Sequence, residues 1–511
     1  MARPPARVRK GIHLVSSPAP ARPRPVHRAA DLLAAYLPGS FYYSSARGVL
    51  LADGVHSCVR GTPGNRAAAA AEALEAAVLA GVADPVVVGA IGFRPDSGSS
   101  LIVPAVVRRA AAPGDSAGGV SGVAGRAELA GEVSGVAGRA GQAGEVSGVA
   151  GTTESVGADP GVGGRAELAG EVSGVGGCAE QAGGVSGVAG RAEQAGGVSG
   201  VAGRAELAAG VSAEGDRRES SVFSAQTPWT VIPQPTPEVY AESVRRAVDL
   251  IGDGELEKVV LARALDLVGE QGVSVQRLLR NLVVADPAAH AFAVDVSAPG
   301  DPAPRTLVGA SPELLVSRKG DVVTANPLAG SRRRTGDPVQ DAQAIAELRV
   351  SEKDLNEHAL VAAQVAEVLG RYCTELEVPE EPEVIGTPTM WHLSTRITGR
   401  VGPGGPSSLE LAEALHPTPA VCGVPVGLAR DTIAQLEPED RGYYAGLVGW
   451  TDLAGDGEWV VTIRCAEVSD KTARLFAGAG VVAGSDPAAE LAETSAKFGT
   501  LLRALGAEGV A

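Results

Sequence analysis

Residues 120–210 repeat one small unit. The unit is clearest as Val120-Ser-Gly-Val-Ala-Gly-Arg-Ala-Glu-Leu-Ala-Gly-Glu132, and six further copies start at Val133, Val146, Asp159, Val172, Val185 and Val198. The array holds 26 of the 68 glycines, and no aromatic residue stands between residues 94 and 222. Repeats can stack into a solenoid when each unit offers an apolar face to bury. Here the side chains are almost all small, and the composition favours a flexible insertion. A folded core must then come from the flanks. The chain divides into a basic leader at 1–28, a first folded segment at 29–111, a low-complexity insertion at 112–219 and a main folded region at 220–507.

A chain of 511 residues is long enough for a large core. Its net charge of −16 argues against a surface that grips nucleic-acid phosphates. Cys58, Cys178, Cys373, Cys422 and Cys465 are scattered without C-x-x-C spacing. That pattern points to a reducing cytoplasm and away from a zinc site. The leader is proline-rich and lacks a sustained apolar stretch, so a disordered segment is expected rather than a secretory signal. No apolar run reaches the length of a membrane span.

Outside the array, strand and helix patterns alternate. A short helix is expected at 29–36, two strands around a turn at 39–54, an alanine-rich helix at 65–80, and buried strands at 85–94 and 101–107. After the array, Thr236 can cap a helix whose apolar face runs through Tyr240, Val244, Ala247 and Ile251. A strand at 257–263 carries Lys258 among Val259, Val260 and Leu261. A helix at 273–284 and a strand at 291–296 follow. Residues 305–318 read as two strands bent at Ser311-Pro312, 321–331 as a continuation of the sheet, 342–372 as mostly helix, 389–399 as one strand and 409–415 as a short helix. Three strands at 443–450, 459–466 and 472–478 lead to a helix that starts at Ser485-Asp486-Pro487. The sum is α+β with large antiparallel sheets.

The last of these elements carry the densest chemistry. The small residues from Ala477 to Gly480 let backbone amides approach a bound anion. On the helix that follows, Glu490, Glu493 and Lys497 share one face. Such a stripe is ordinarily a solvated face laced with ion pairs. The acidic theme recurs upstream, however, at Asp354 and Glu357, and two acidic helices can hold one hard cation between them. Taken alone, Lys258 is either a lysine snorkelling to solvent or a desolvated base. Glu313 is either a wet-face carboxylate or a buried acid. His358 and His392 raise the question of zinc, but their lone placement points to ordinary hydrogen bonding.

Taken in order, KVVLAR from Lys258, GASPELLVSR from Gly309, PLAGSRRR from Pro327, EKDLNEH from Glu352, MWHLST from Met390, LHPTPAVCG from Leu415, YYAGLVGW from Tyr443, TIRCAEV from Thr462 and AGAGVVAGSDPAAELAET from Ala477 resemble the chorismate-utilising enzymes. Within that family, which includes anthranilate synthase component I and salicylate synthase, the resemblance is strongest to the isochorismate synthases. It covers nearly all of 228–505 and, more weakly, 40–108. It implies a fold of paired antiparallel sheets flanked by helices. The segment 29–111 would be the N-terminal part of the catalytic domain, and 220–507 the chorismate-binding region.

The resemblance further implies that Lys258 is the general base that activates water and Glu313 the general acid that protonates the departing ring hydroxyl. Desolvation of each would serve its role. It implies Glu357 and Glu493 as ligands of Mg2+, with Asp354 and Glu490 in supporting positions. Ala420, Val421, Tyr444, Arg464, Gly480 and Lys497 would bind the substrate, chorismate. Tyr444 and Val421 depart from the pattern of isochorismate synthases, where phenylalanine and leucine are common. Tyrosine at 444 fits salicylate-forming relatives, whereas Ala420 favours stopping at isochorismate. The expectation is a monomeric cytoplasmic isomerase with no nucleic-acid or membrane partner. The rivals are a pyruvate-releasing salicylate synthase and an inert scaffold that recruits partners through the array. Isochorismate feeds siderophores, menaquinone and phenolic metabolites, and nothing in the sequence selects among them.

Overall fold

The computed structural model describes residues 27–111, 229–254 and 256–508. The repeat array, with the expected flexible insertion, and the leader up to residue 26 lie outside the described residues. Strands dominate, and every ladder between named strands is antiparallel. Seventeen of them join one continuous ribbon, and three more form a small separate sheet.

The ribbon has two arms. One runs from Ile397–Arg400 through Val322–Asn326, Leu314–Lys319, Gly457–Val461, Leu447–Asp452, Val86–Ile91 and Ser99–Ala110 to Gly48–Cys58. The other runs from Phe41–Ser45 through His290–Asp295, Arg305–Ser311, Cys465–Ser469 and Thr472–Val481 to Lys258–Gly269. One hydrophobic core takes Val323 and Trp459 from the first arm and Leu261 and Phe292 from the second. The ribbon therefore folds back on itself around that core. A second core lies behind the second arm, where Leu265, Val308 and Leu475 meet Leu279 and Leu501 from two helices.

The chain crosses between the arms twice at one place. Pro312-Glu313 joins Arg305–Ser311 to Leu314–Lys319, and Thr462-Ile463-Arg464 joins Gly457–Val461 to Cys465–Ser469. The two corners are laced together. Val461 N–H donates to the Glu313 carbonyl at 3.2 Å, Ala310 N–H to the Arg464 carbonyl at 3.1 Å, and the Ser311 hydroxyl to the Val461 carbonyl at 2.7 Å. Arg464 holds φ at 50°, a left-handed conformation uncommon for a side chain of its size. Corners of this kind aim side chains into the gap between the arms.

The bend expected at Ser311-Pro312 is there, and so is the helix capped by Thr236. Two expected single strands are in fact split. Residues 321–331 break at Pro327 into Val322–Asn326, on the ribbon, and Leu328–Arg333, on the small sheet. Residues 389–399 divide likewise into Met390–Ser394 and Ile397–Arg400. Proline has no N–H to continue a ladder. The expected strand at 459–466 also splits, at the Thr462 to Arg464 corner. Among the described residues no helix is long and apolar enough to cross a membrane.

Candidate active site

Lys258 opens the strand Lys258–Gly269 and is 0% exposed. Its Nζ lies 2.9 Å from Glu357 Oε1. Glu357 comes from the helix Glu352–Leu369, whose start is fixed by the Ser351 hydroxyl accepting from Asp354 N–H. Gly480 makes this approach possible. A Cβ there would sit 2.5 Å from Glu357 Oε1 and 3.1 Å from Lys258 Cε, so only glycine leaves room for the pair.

Glu313, at the first corner, is 3% exposed. Burial raises its carboxyl from 4.5 to about 7, against the opposing pull of the Leu328 backbone and the more distant charges of Lys258, Arg464 and Lys497. At neutral pH it is poised between acid and carboxylate. Arg464, at the second corner, is also buried, and its terminal nitrogen meets His392 Nε2 at 3.3 Å. Burial, reinforced by Arg464 and Lys497, holds His392 well below the usual histidine range. The ring is therefore neutral. His358 Nε2 pairs with the Thr395 hydroxyl at 2.7 Å.

The helix Pro487–Leu505 supplies the opposite side, and Asp486 caps it by accepting from Ala489 N–H at 2.8 Å. Lys497 donates to Glu493 at 2.6 Å and to the Gly478 carbonyl at 2.9 Å. Ser331 also donates to Glu493, at 3.0 Å. Burial works against ionisation of Glu493, but Lys497 and Ser331 outweigh it and hold the carboxyl below its usual range. Glu490 faces Lys353 at 2.9 Å, and Asp354 faces Arg332 at 2.6 Å.

These groups surround a pocket of ≈ 60 Å³. Glu313, Glu357, Ala420, Val421, Tyr444, Arg464, Gly480, Glu493 and Lys497 all line it, and Lys258 stands directly behind Glu357. Asp354 and Glu490 do not reach the lining and are tied to their own cations. Tyr444 stacks on Phe476, with ring centroids 5.1 Å apart. Sequence reasoning assigned no role to Ser331, Arg332 or Lys353, although the first two lie in the quoted PLAGSRRR motif. Their signal was a hydroxyl and a cation beside expected anions, and only the fold shows which anion each one meets.

What the pocket can do follows from this inventory. It offers two cations and backbone donors for an anionic ligand, one carboxyl that can carry a proton near pH 7, and a buried ammonium held by a carboxylate. Glu357 and Glu493 also present all-oxygen donors of the kind a hard divalent cation prefers.

Residues 205–506 match the family model described as chorismate binding enzyme. Isochorismate synthase DhbC of Bacillus subtilis is 54% identical over 279 residues, spanning 54% of this chain and 70% of the relative. Isochorismate synthase EntC of Escherichia coli K12 is 43% identical over 275 residues, spanning 54% of this chain and 68% of the relative. A crystal structure from Bacillus anthracis, assigned as a 2,3-dihydroxybenzoate-specific isochorismate synthase, superposes with a TM-score of 0.70 at 36% identity, covering 94% of this chain and 99% of its own. The menaquinone-specific isochorismate synthase MenF of E. coli shares the fold, with a TM-score of 0.62 at 20% identity and coverage of 94% and 92%. On the extent of the family match and of these relatives, the chain belongs to the chorismate-binding enzyme family.

Proposed function

We propose that the protein is an isochorismate synthase, an isomerase that moves a hydroxyl on the ring of chorismate while the enolpyruvyl ether stays attached. The observation that carries this reading is the convergence in one pocket of a proton-bearing Glu313, the buried Lys258 and Glu357 pair, and the cations Arg464 and Lys497. Water adds at one ring carbon as its proton passes to Lys258 Nζ, which reacts as the free amine after its ammonium proton has left to solvent. The ring double bond shifts, and the original hydroxyl departs with a proton from Glu313. Arg464 and Lys497 hold the substrate carboxylates. The neutral His392 keeps the Arg464 guanidinium oriented without cancelling its charge.

Magnesium fits the donor set. Glu357 and Glu493 would hold it, with Asp354 and Glu490 acting through the cations and waters around them. When bound, it would neutralise a substrate carboxylate and polarise the oxygen attached to the ring. Among the described residues no three His, Cys, Asp or Glu side chains converge as a metal cage. Magnesium does not need one, because it takes one or two carboxylates and completes its shell with water and substrate oxygens.

A second reading, salicylate synthase, is favoured by one residue. The Tyr444 hydroxyl lies 3.0 Å from where a Gly478 Cβ would be, inside the pocket. The test is to incubate the protein with chorismate and magnesium, separate the products by chromatography and assay pyruvate. Isochorismate without pyruvate supports the synthase. Salicylate with equimolar pyruvate replaces it with the lyase, and no turnover removes both.

A further inference from the structure

A second, open cavity of ≈ 420 Å³ lies where the helix Arg66–Leu79 begins, beside the strand Val86–Ile91 and the segment leading to His416 and Pro417. Arg66 is 95% buried, since only 5% of its surface is exposed, and its Nε has no hydrogen-bond partner. Its terminal nitrogens reach Glu413 and the Pro95 carbonyl only at 3.4 and 3.5 Å. Arg430, half-buried, lines the same cavity. Its Nε is buried without a partner, and among the described residues the guanidinium makes no ion pair.

The helix N-terminus adds to this field. Asn65 provides no side-chain cap, so the positive end of the helix opens into the cavity. Glu413 answers part of the charge through Ala67 N–H at 3.3 Å. Glu410, also on the lining, accepts from Ser407 N–H at 2.6 Å. Burial, with Arg430 and Arg66 adding to it, lowers His416 to about 4, so its ring adds no charge, and its Nε2 is engaged with the Ala445 carbonyl at 2.8 Å. Two guanidinium groups with an unpartnered Nε and a helix dipole thus stand against Glu413, while Glu410 on the same lining is engaged at Ser407 and Arg94 is paired with Asp96 and Asp440. Phe93 and Leu447 give the wall an apolar patch, with Arg94 and Tyr372 elsewhere on the lining.

We propose that this cavity is a binding site for a small organic carboxylate with an apolar body, its charge held by Arg66 and Arg430 and its body against Phe93. The site backs on the active-site pocket. Four residues lie between His416 in the cavity and Val421 in the pocket. Arg441, whose guanidinium carbon lies 4.4 Å from the Phe93 ring centroid, donates to the Val421 carbonyl at 2.8 Å and the Val260 carbonyl at 2.7 Å. An occupant resting on Phe93 therefore packs on the ring that stacks against Arg441, the group that fixes two pocket residues.

The test titrates benzoate into the full chain by calorimetry, with inorganic phosphate as the apolar-free control. Benzoate should bind with a dissociation constant of about 1 mM or tighter, and phosphate at least roughly ten-fold more weakly. Arg430→Ala should weaken benzoate by roughly ten-fold or more. Ala68→Trp, which fills the cavity from an exposed helix position without changing charge, should do the same. Arg464→Ala should leave benzoate affinity unchanged. Circular dichroism melts confirm that each variant folds. Loss of binding in Arg464→Ala with retention in Arg430→Ala would place benzoate in the active-site pocket and overturn the proposal. So would phosphate binding equal to benzoate, or no benzoate binding at concentrations well above 1 mM.

Discussion

Glu313 and Glu357 are the same residue type on the walls of one pocket, and the fold gives them opposite company. Glu357 has an ammonium at 2.9 Å. Glu313, delivered by a corner between the two arms, has burial as its main influence, and its carboxyl rises to about 7. One carboxylate is paired with a lysine while the other can carry a proton. The difference shows how one fold obtains a charge holder and a proton donor from identical side chains, by choosing which element presents each.

The sharpest way to break that comparison is to replace the proton donor. Glu313→Gln keeps the shape and removes the transferable proton. Turnover of chorismate should fall by about 10²- to 10⁴-fold, the usual worth of a positioned acid. The melting temperature above pH 8 should not fall, because a neutral amide replaces a buried ion. An activity loss accompanied by a large drop in melting temperature would mean that Glu313 is structural.

Glu357→Gln probes the other carboxylate. It strands the Lys258 ammonium with no exposed surface and no anion. The expected cost is about 3–5 kcal/mol of stability, as when one partner of a buried pair is removed. Chemical denaturation checks this, and a double substitution with Lys258→Met should recover much of the loss. Unchanged stability in the single variant would show that the lysine finds another partner.

The pH profile reads the same contrast more gently. Because the folded carboxyl of Glu313 titrates near 7 and an ordinary one near 4.5, the folded state keeps a proton that the unfolded chain has released. Its contribution to stability therefore declines as pH rises from about 4.5 to 7. Glu313 should therefore place an ionisation near pH 7 in the kcat/KM profile that is absent from Glu313→Gln. The same ionisation persisting in Glu313→Gln would contradict the assignment of Glu313 as acid.

How much of this was legible in the sequence depends on the residue. The apolar run around Lys258, the helix start at Ser485-Asp486-Pro487 and the stripe of Glu493 and Lys497 are local properties that the sequence pattern reveals, whereas the burial of Lys258 and the choice of Asp486 as cap needed the fold. The partnership of Lys258 with Glu357 joins a strand to a helix far along the chain, and no spacing rule reports it. Pro327 marked a break, but not that the chain would leave one sheet for another there. The helix Val426–Leu436 went unread because its start at Val426 follows Pro425, with no capping side chain to announce it. Arg430, on that helix, consequently carried no expectation at all.

The smallest expected effect concerns the region that contrasts most with the pocket. Among the described residues the pocket lining draws only on Val260 and positions beyond it, all C-terminal to the array. Removing residues 120–210 leaves residues 111–119 and 211–228 to join the strand Ser99–Ala110 to Trp229–Gln234. A linker of about 27 residues can reach about 90 Å when extended, and loop length enters the closure entropy only logarithmically. Turnover by the deletion variant should therefore stay within about two-fold of the full chain, with a melting temperature equal or slightly higher. Loss of turnover in a variant that still melts cooperatively would make the array part of the enzyme, and the comparison would then extend beyond the two carboxylates to a segment with hardly any large side chain.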